Sequence, residues 1–190
     1  MASMRWLGQM LRPLRPGVDA LTSAKLSRKI PATLIVTSDA FTEGDDIPTD
    51  CTADGSGRFP GLSWSGLPEG TKSVVLLVED ADIPFVKPVT HLILHSIPPD
   101  ITTIEPGAVP RSLRAPSPQG WSTGRNFLGA AGWTPPAPPP GHGAHRYAFQ
   151  VFALDATPAF PVKPSRATLM RHIRTHVLSR GTLIGTYRRR

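Results

Sequence analysis

The sequence is poor in cysteine and in long apolar runs. Cys51 is the only cysteine, so neither an intrachain disulfide nor a zinc site built from several thiolates can form. A chain without disulfides is typical of a reducing compartment, and we expect a cytoplasmic protein. The N-terminal stretch MASMRWLGQMLRPLRPG is interrupted by Pro13 and Pro16. It therefore predicts neither a secretory signal nor a membrane-spanning helix.

Acidic residues are scarce at both ends of the chain. Residues 1–30 carry six Lys/Arg and one acid, and residues 160–190 carry eight Lys/Arg and no acid. The segment between them is net acidic, although the whole chain has a formal charge of +7. A nucleic-acid interface needs a basic face on the fold itself, so we predict no nucleic-acid partner. The basic ends still suit phosphates or an anionic membrane surface.

Proline is abundant, with 22 residues, of which thirteen lie between Pro84 and Pro140. This favours strands joined by long ordered loops over a helical bundle. We predict a single domain over residues 31–190, preceded by a basic extension over residues 1–30. The weak apolar stripe Met4, Leu7, Met10 and Leu14 leaves two readings of the extension: a partly unstructured segment, or a short amphipathic helix on a membrane or partner.

Short apolar and β-branched runs dominate the remaining chain. Ser165 is a suitable N-cap, and Leu169, Ile173 and Val177 form one apolar stripe, so a helix is predicted from there to a stop near Gly181. The pattern indicates a mainly β fold with peripheral helices. Strands are predicted at 33–38, 62–67, 73–79, 91–97, 145–154 and 182–187.

The strand at 145–154 carries polar groups where it begins. His145 and Tyr147 share one face, directly after the rigid loop PPPGHG. This places a titratable imidazole and a hydroxyl donor at a strand end, where ligands are often held.

Carboxylates follow the buried run SVVLLVE. Asp80 and Asp82 project to one side if the chain stays extended, and Pro84 then forces a turn. Three readings stay open: a solvated turn, a metal site, or a carboxylate pair facing a pocket, in which crowding raises one pKa.

Histidines occur in two further places. His91 and His95 are expected to share the face of Ile93, where each is either a core group or, if it faces the carboxylates, a ligand group. His172 and His176 have zinc-binding spacing, but Ile173 stands where a metalloprotease motif needs Glu. The fragment LSWSG lacks the glycine spacing of a nucleophile elbow.

Several motifs in this order resemble the phosphatidylethanolamine-binding proteins, in particular the bacterial branch described as Raf-kinase-inhibitor-like. The resemblance runs from about Thr33 to Arg188. It rests on LSWSG, the turn PEGTKS at 68–73, DADIP at 80–84, His91 followed by Ile97-Pro98, GHGAHRY at 141–147 and GTYRR at 185–189.

The resemblance implies a central antiparallel β-sandwich with peripheral helices and a small anion pocket at one end. Family members accept phosphate, acetate or a phospholipid head group there, and bacterial members are often homodimers. Pro135 and Ala137 stand where the family usually has Gly and Cys, which alters the wall of the pocket. By motif match the pocket is lined by Asp80, Asp82, His91, Pro139, His145 and Tyr147.

We therefore expect a non-catalytic protein that binds a phosphate-bearing small molecule or a phospholipid head group. We expect no cofactor and at most peripheral contact with a membrane. His91 and His145 are expected to donate to the phosphate, and the aspartates to orient them. The alternative is an inhibitor that docks on a kinase or protease. A phosphoester hydrolase using Asp80, Asp82 and His145 ranks lower, because no nucleophile or metal set is identifiable.

Overall fold

The structure is a computed structural model that describes residues 2–26, 29–112, 117–160 and 162–189. Residues 27 and 28 of the predicted extension, residues 113–116 of the long loop and the last of the terminal arginines lie outside the described residues.

The described residues form two β-sheets, of which the larger is antiparallel. Its five strands are β3 (Ser73–Asp80), β4 (Val89–Ile97), β6 (Ser122–Thr123), β7 (His145–Leu154) and β8 (Val177–Tyr187). They lie in the order β6-β4-β3-β7-β8. The central strands β3 and β7 are buried along almost their whole length, and continuous apolar runs suit such strands because both of their faces are covered.

A smaller antiparallel sheet has three strands, β1 (Ile35–Thr37), β2 (Leu62–Ser65) and β5 (Thr103–Ile104), in the order β1-β2-β5. The prediction of a mainly β fold with few helices is therefore confirmed, with two antiparallel sheets. The closer assignment as a sandwich stays a prediction, and so does the domain boundary at residue 31. β5 and β6 were not foreseen, because each has only two residues within the proline-rich excursion.

The C-terminal helix is shorter than the sequence predicts. It is α3 (Arg166–Ile173), capped by the Ser165 side chain, which accepts a hydrogen bond from the Thr168 amide. The predicted end near Gly181 is wrong, because Val177 pairs with Leu154 and opens β8. Gly181 lies within that strand, where the carbonyl of Leu34 comes too close for a Cβ atom.

Two cores cover the faces of the large sheet. One contains Tyr147, Phe149 and residues of the smaller sheet. The other contains Phe152 and packs against Leu169 and Ile173 of α3.

The N-terminal residues carry two α-helices, α1 (Ala2–Leu11) and α2 (Thr22–Lys25). α2 begins over the fully buried Glu79, whose Oε2 accepts hydrogen bonds from the Thr22 amide and the Gln150 side chain, each at 2.8 Å. Arg166 forms an ion pair with the same carboxylate. A buried carboxylate needs such partners, so this network fixes the segment to the sheet. Along the described chain, no helix is long and apolar enough to cross a bilayer.

Candidate functional site

The pairing of β3 with β7 brings three of the predicted site residues to one end of the sheet. Asp80, the last residue of β3, lies opposite Tyr147, and His145 is the first residue of β7. The Nδ1 of His145 lies 2.8 Å from Asp80 Oδ2, and both side chains are almost fully buried. This is a histidine–carboxylate pair held away from water, where electrostatic interactions are strong.

His91 joins this group because β4 contains a bulge. Val78 pairs with Leu92 and Glu79 with Thr90, so His91 is the extra residue between two consecutive pairs. A bulge re-aims a side chain. The His91 ring accordingly lies edge-on to Tyr147 at 5.2 Å between ring centroids. The expectation that His91 shares the face of Ile93 is wrong for this reason.

The hydrogen bond of His91 Nδ1 fixes its role. Nδ1 lies 2.7 Å from the carbonyl of Thr134, which can only accept, so Nδ1 carries the hydrogen. Burial lowers the pKa of His91, against the raising effect of Asp80. The ring is therefore neutral near pH 7, and Nε2 is an acceptor rather than the donor expected from the sequence.

Asp82 binds an arginine and not a histidine. Its carboxylate is fully buried and accepts hydrogen bonds from Arg146 Nε and Nη2, both at 2.7 Å, and from the Arg146 amide at 2.8 Å. Burial opposes ionisation of Asp82, but these hydrogen bonds and the charges of Arg146 and Arg15 hold its pKa below the ordinary value. Asp82 is therefore an anchor for the start of β7, and Asp80 is the carboxylate that faces His145.

His142 closes a chain of hydrogen bonds that the sequence did not reveal. Its Nε2 lies 2.9 Å from the Leu11 carbonyl, and its Nδ1 lies 2.7 Å from His145 Nε2. Burial, followed by the charges of His145 and Arg15, lowers the pKa of His142 despite its bond to Leu11, so the ring is neutral near pH 7. Since Leu11 accepts from Nε2–H, Nδ1 must accept from His145. His145 therefore donates from Nε2 to His142, and its Nδ1 is held by the carboxyl group of Asp80.

The Tyr147 hydroxyl makes no hydrogen bond of normal length within the described residues, although the Ala137 backbone and the Asp80 side chain lie close enough to influence its pKa. The side chain is fully buried. Burial and the nearby charge of Asp80 raise the pKa of Tyr147 well above its ordinary value, so the phenol keeps its proton. An unpaired buried hydroxyl costs free energy and requires an explanation, which a bound acceptor would provide.

Residues 5–17 cover this end of the sheet; we call them the N-terminal cover. Arg12 Nε donates to the Gly141 carbonyl at 2.8 Å. Arg15 donates to the carbonyls of His142 and Ala144, at 2.5 and 2.7 Å. The cover and the loop before β7 thus enclose the site.

Close backbone contact also joins the two segments. The backbone of Pro140 and His142 leaves no room for a Cβ at Gly8, and the Arg5 backbone leaves none at Gly141. Glycine at both positions therefore lets α1 lie directly on the loop.

The predicted site residues consequently form a sealed cluster. Pro139 is half-buried and its carbonyl accepts the His142 amide at 3.1 Å, which sets the turn. A cleft of about 850 Å³ adjoins the cluster at Pro140 and is lined further by Tyr187 and Arg189, but not by Asp80, His91 or His145. No group of three His, Cys, Asp or Glu among the described side chains is placed to hold a metal ion.

Sequence reasoning missed His142, Arg146, Arg12 and Arg15. His142 and Arg146 lie inside the motif GHGAHRY, three residues before and one residue after His145, and that proximity was the available signal. No local pattern indicates that arginines of the extension bind carbonyl groups about 130 residues away.

Comparison with known sequences identifies one family. A family profile described as "Phosphatidylethanolamine-binding protein" matches residues 37–188. The chain is 37% identical over 153 residues to a UPF0098 protein of Pyrococcus horikoshii, covering 80% of this chain and 76% of that one. It is 39% identical over 150 residues to a UPF0098 protein of Methanothermobacter thermautotrophicus, covering 79% and 95%.

Comparison with solved structures agrees. Escherichia coli YbcL, described as a new member of the mammalian PEBP family, aligns with a TM-score of 0.76 at 29% identity, covering 84% of this chain and 100% of that one. A putative phosphatidylethanolamine-binding protein homolog from Chlamydia trachomatis aligns with a TM-score of 0.73 at 30% identity, covering 83% and 98%.

Proposed function

Because the chain belongs to the phosphatidylethanolamine-binding protein family, we propose that it is a non-catalytic binding protein whose site takes a phosphate group. That group is carried by a small molecule or by a phospholipid head. The observation that carries the proposal is the pair of donors at one strand end: His145, held by Asp80, and the buried Tyr147 hydroxyl, which makes no hydrogen bond of normal length within the described residues.

In this proposal a phosphate oxygen takes the position of His142 Nδ1. That nitrogen is now the acceptor for His145 Nε2–H at 2.7 Å. A phosphate oxygen would receive a charge-assisted bond there, stronger than the neutral one it replaces. The Tyr147 hydroxyl supplies the second donor.

His91 gives this site a preference among phosphates. Its neutral ring offers an acceptor, which suits a protonated phosphate oxygen or a hydroxyl group of the ligand. A monoanionic phosphate, with one P–OH, therefore complements the two donors and one acceptor better than a dianion does.

Binding requires His142 to move. The present arrangement is a closed state, since His142 is fully buried between His145 and Leu11. The apparent affinity is reduced by the fraction of molecules in which the site is open.

Calorimetric titration with inorganic phosphate and with phosphoethanolamine tests the proposal. We expect His145→Ala to abolish binding of both ligands, because the Nε2 donor is lost. His142→Ala should strengthen binding, because it removes the competing acceptor. If phosphoethanolamine binds and phosphate does not, the site recognises a head group rather than phosphate itself.

The matched control is His176→Ala. His176 also pairs with a carboxylate, Asp155, at 2.8 Å, but on the exposed surface. It should leave both titrations unchanged. Equal affinity in wild type and His145→Ala, with circular dichroism unchanged, would overturn the assignment of the site.

Two other functions stay predictions. Docking on a kinase or protease would be indicated by a protein partner that His145→Ala still retains. Phosphoester hydrolysis would be indicated by turnover of a substrate panel that disappears in Asp80→Asn.

A further inference from the structure

Exposed apolar side chains are concentrated in three segments of the described chain. Among the residues whose burial is described, ten large apolar side chains are exposed, and of these only Ile35 and Val162 lie outside the three segments. The other eight are Trp6, Leu7, Met10 and Leu14 in the first segment, Phe85 and Val86 in the second, and Phe127 and Leu128 in the third. Scattered exposed apolar residues are ordinary on a protein surface, but this concentration indicates an interaction surface.

The three segments lie at the same end of the large sheet. The second joins the end of β3 to the start of β4. In the third, the Phe127 amide donates to the Thr90 carbonyl at 2.8 Å, and the Phe127 ring lies 5.4 Å from that of His91. The first lies on the loop before β7 through Arg12 and Gly141. We call the three segments together the apolar rim.

Cations accompany each segment of the apolar rim. Arg5 and Arg12 lie in the first, Lys87 in the second and Arg125 in the third, and all four are exposed. Residues 2–18, 83–88 and 124–131 contain no Asp or Glu. The carboxylate of Asp82, which lies close by in the chain, is buried and already paired with Arg146.

We propose that the apolar rim docks onto the surface of an anionic phospholipid bilayer. Apolar and aromatic side chains enter the boundary between head groups and acyl chains, while the cations beside them bind lipid phosphates. Tryptophan and phenylalanine suit that boundary, and the aliphatic part of arginine packs along it. A second copy of the chain is disfavoured as the occupant, because it would bring like charges together.

This surface goes beyond the proposed anion site and does not rest on it. Phosphate titration reports the sealed cluster of Asp80, His145 and Tyr147, whereas vesicle binding reports exposed residues. Failure of one measurement therefore leaves the other standing.

Trp6 provides a direct probe in the full-length chain. It is 61% exposed, whereas Trp64, Trp121 and Trp133 are at most 3% exposed. We expect phosphatidylcholine/phosphatidylglycerol vesicles to shift the tryptophan emission to shorter wavelength, and phosphatidylcholine vesicles to shift it much less. Trp6→Phe should remove the shift while vesicle co-sedimentation persists.

Variants on a separate segment test the rim as a whole. Phe85→Ser/Val86→Ser should weaken vesicle binding about tenfold, because two apolar groups no longer enter the bilayer. Lys87→Ser should weaken it roughly fivefold, as expected for one cation near an anionic surface. The matched control is Ile35→Ser, which is 63% exposed but lies in β1, and it should bind like wild type.

Three outcomes would overturn the proposal. The first is no binding to anionic vesicles. The second is equal binding by Ile35→Ser and Phe85→Ser/Val86→Ser. The third is a dimer in sedimentation velocity that the Phe85→Ser/Val86→Ser variant dissociates, which would show that a second copy covers the rim.

Discussion

At the scale of single residues, His95 shows how strongly the fold suppresses charge. It lies in β4, is only 6% exposed, and its ring meets Phe160 edge-on at 4.9 Å between centroids. Burial lowers its pKa from 6.5 to about 4, although a backbone hydrogen bond at Thr123 acts in the opposite direction. His95 is therefore neutral in the native protein throughout the neutral range.

We predict that His95 makes stability depend on pH. The unfolded chain binds a proton near pH 6.5 and the folded chain only near pH 4, so stability is fully present above about 6.5 and is lost as the pH falls towards 4. The loss amounts to roughly 3 kcal/mol. The free energy of unfolding in urea should be measured near pH 7 and near pH 4, and His95→Gln should reduce the difference between the two values.

In His95→Gln the pH dependence of stability should become smaller but not disappear, because the pKa values of His91 and His142 are also lowered by burial. His176→Gln serves as the control, since His176 is exposed. If both variants keep the full dependence of wild type, His95 is not the responsible group.

At the scale of secondary-structure elements, β8 packs closely against the start of β1 because Gly181 has no side chain. The Leu34 amide donates to the Arg180 carbonyl at 3.2 Å, and a Cβ at Gly181 would meet the Leu34 carbonyl. This contact joins the two sheets.

Gly181→Ala should therefore destabilise the protein by about 1–3 kcal/mol, since the backbone of Leu34 cannot give way as a flexible side chain would. Thermal and urea unfolding measure the change, with the neighbouring Thr182→Ala as the control. An unchanged midpoint would show that β1 moves away from β8 at little cost.

The elements also show what sequence patterns can predict. The continuous apolar run of β3 and the alternation of β7 identify both strands, because burial on two faces leaves a direct trace in the sequence. The predicted end of α3 was wrong, because Val177 fits the apolar stripe of a helix and the pattern of a strand equally well. Only its pairing with Leu154 shows that it belongs to β8. The bulge at His91 depends on the register between β3 and β4, which no single-strand pattern contains.

At the scale of the whole molecule, the candidate site was predictable from motif order but its closure was not. Asp80, His145 and Tyr147 come together because β3 and β7 pair, as the motifs implied. The N-terminal cover is fixed by hydrogen bonds from Arg12 and Arg15 to backbone carbonyls, and such bonds require no particular residue type at the accepting end.

Removing the two arginines of the N-terminal cover should open the site. Arg12→Ala/Arg15→Ala removes the side chains that bind the carbonyls of Gly141, His142 and Ala144. Two of these hydrogen bonds are exposed and one is partly buried, so together they contribute about 1.5–3 kcal/mol, and the open fraction should rise by at least about tenfold. Phosphate affinity measured by calorimetry should increase with it, and limited proteolysis before residue 17 should become faster.

Arg171→Ala is the control, because Arg171 is an exposed cation on α3, far along the chain from these contacts. Faster proteolysis without any gain in phosphate affinity would mean that the cover lies on the site without obstructing it. Binding would then be limited by His142 alone, and His142→Ala would remain the only substitution that strengthens it.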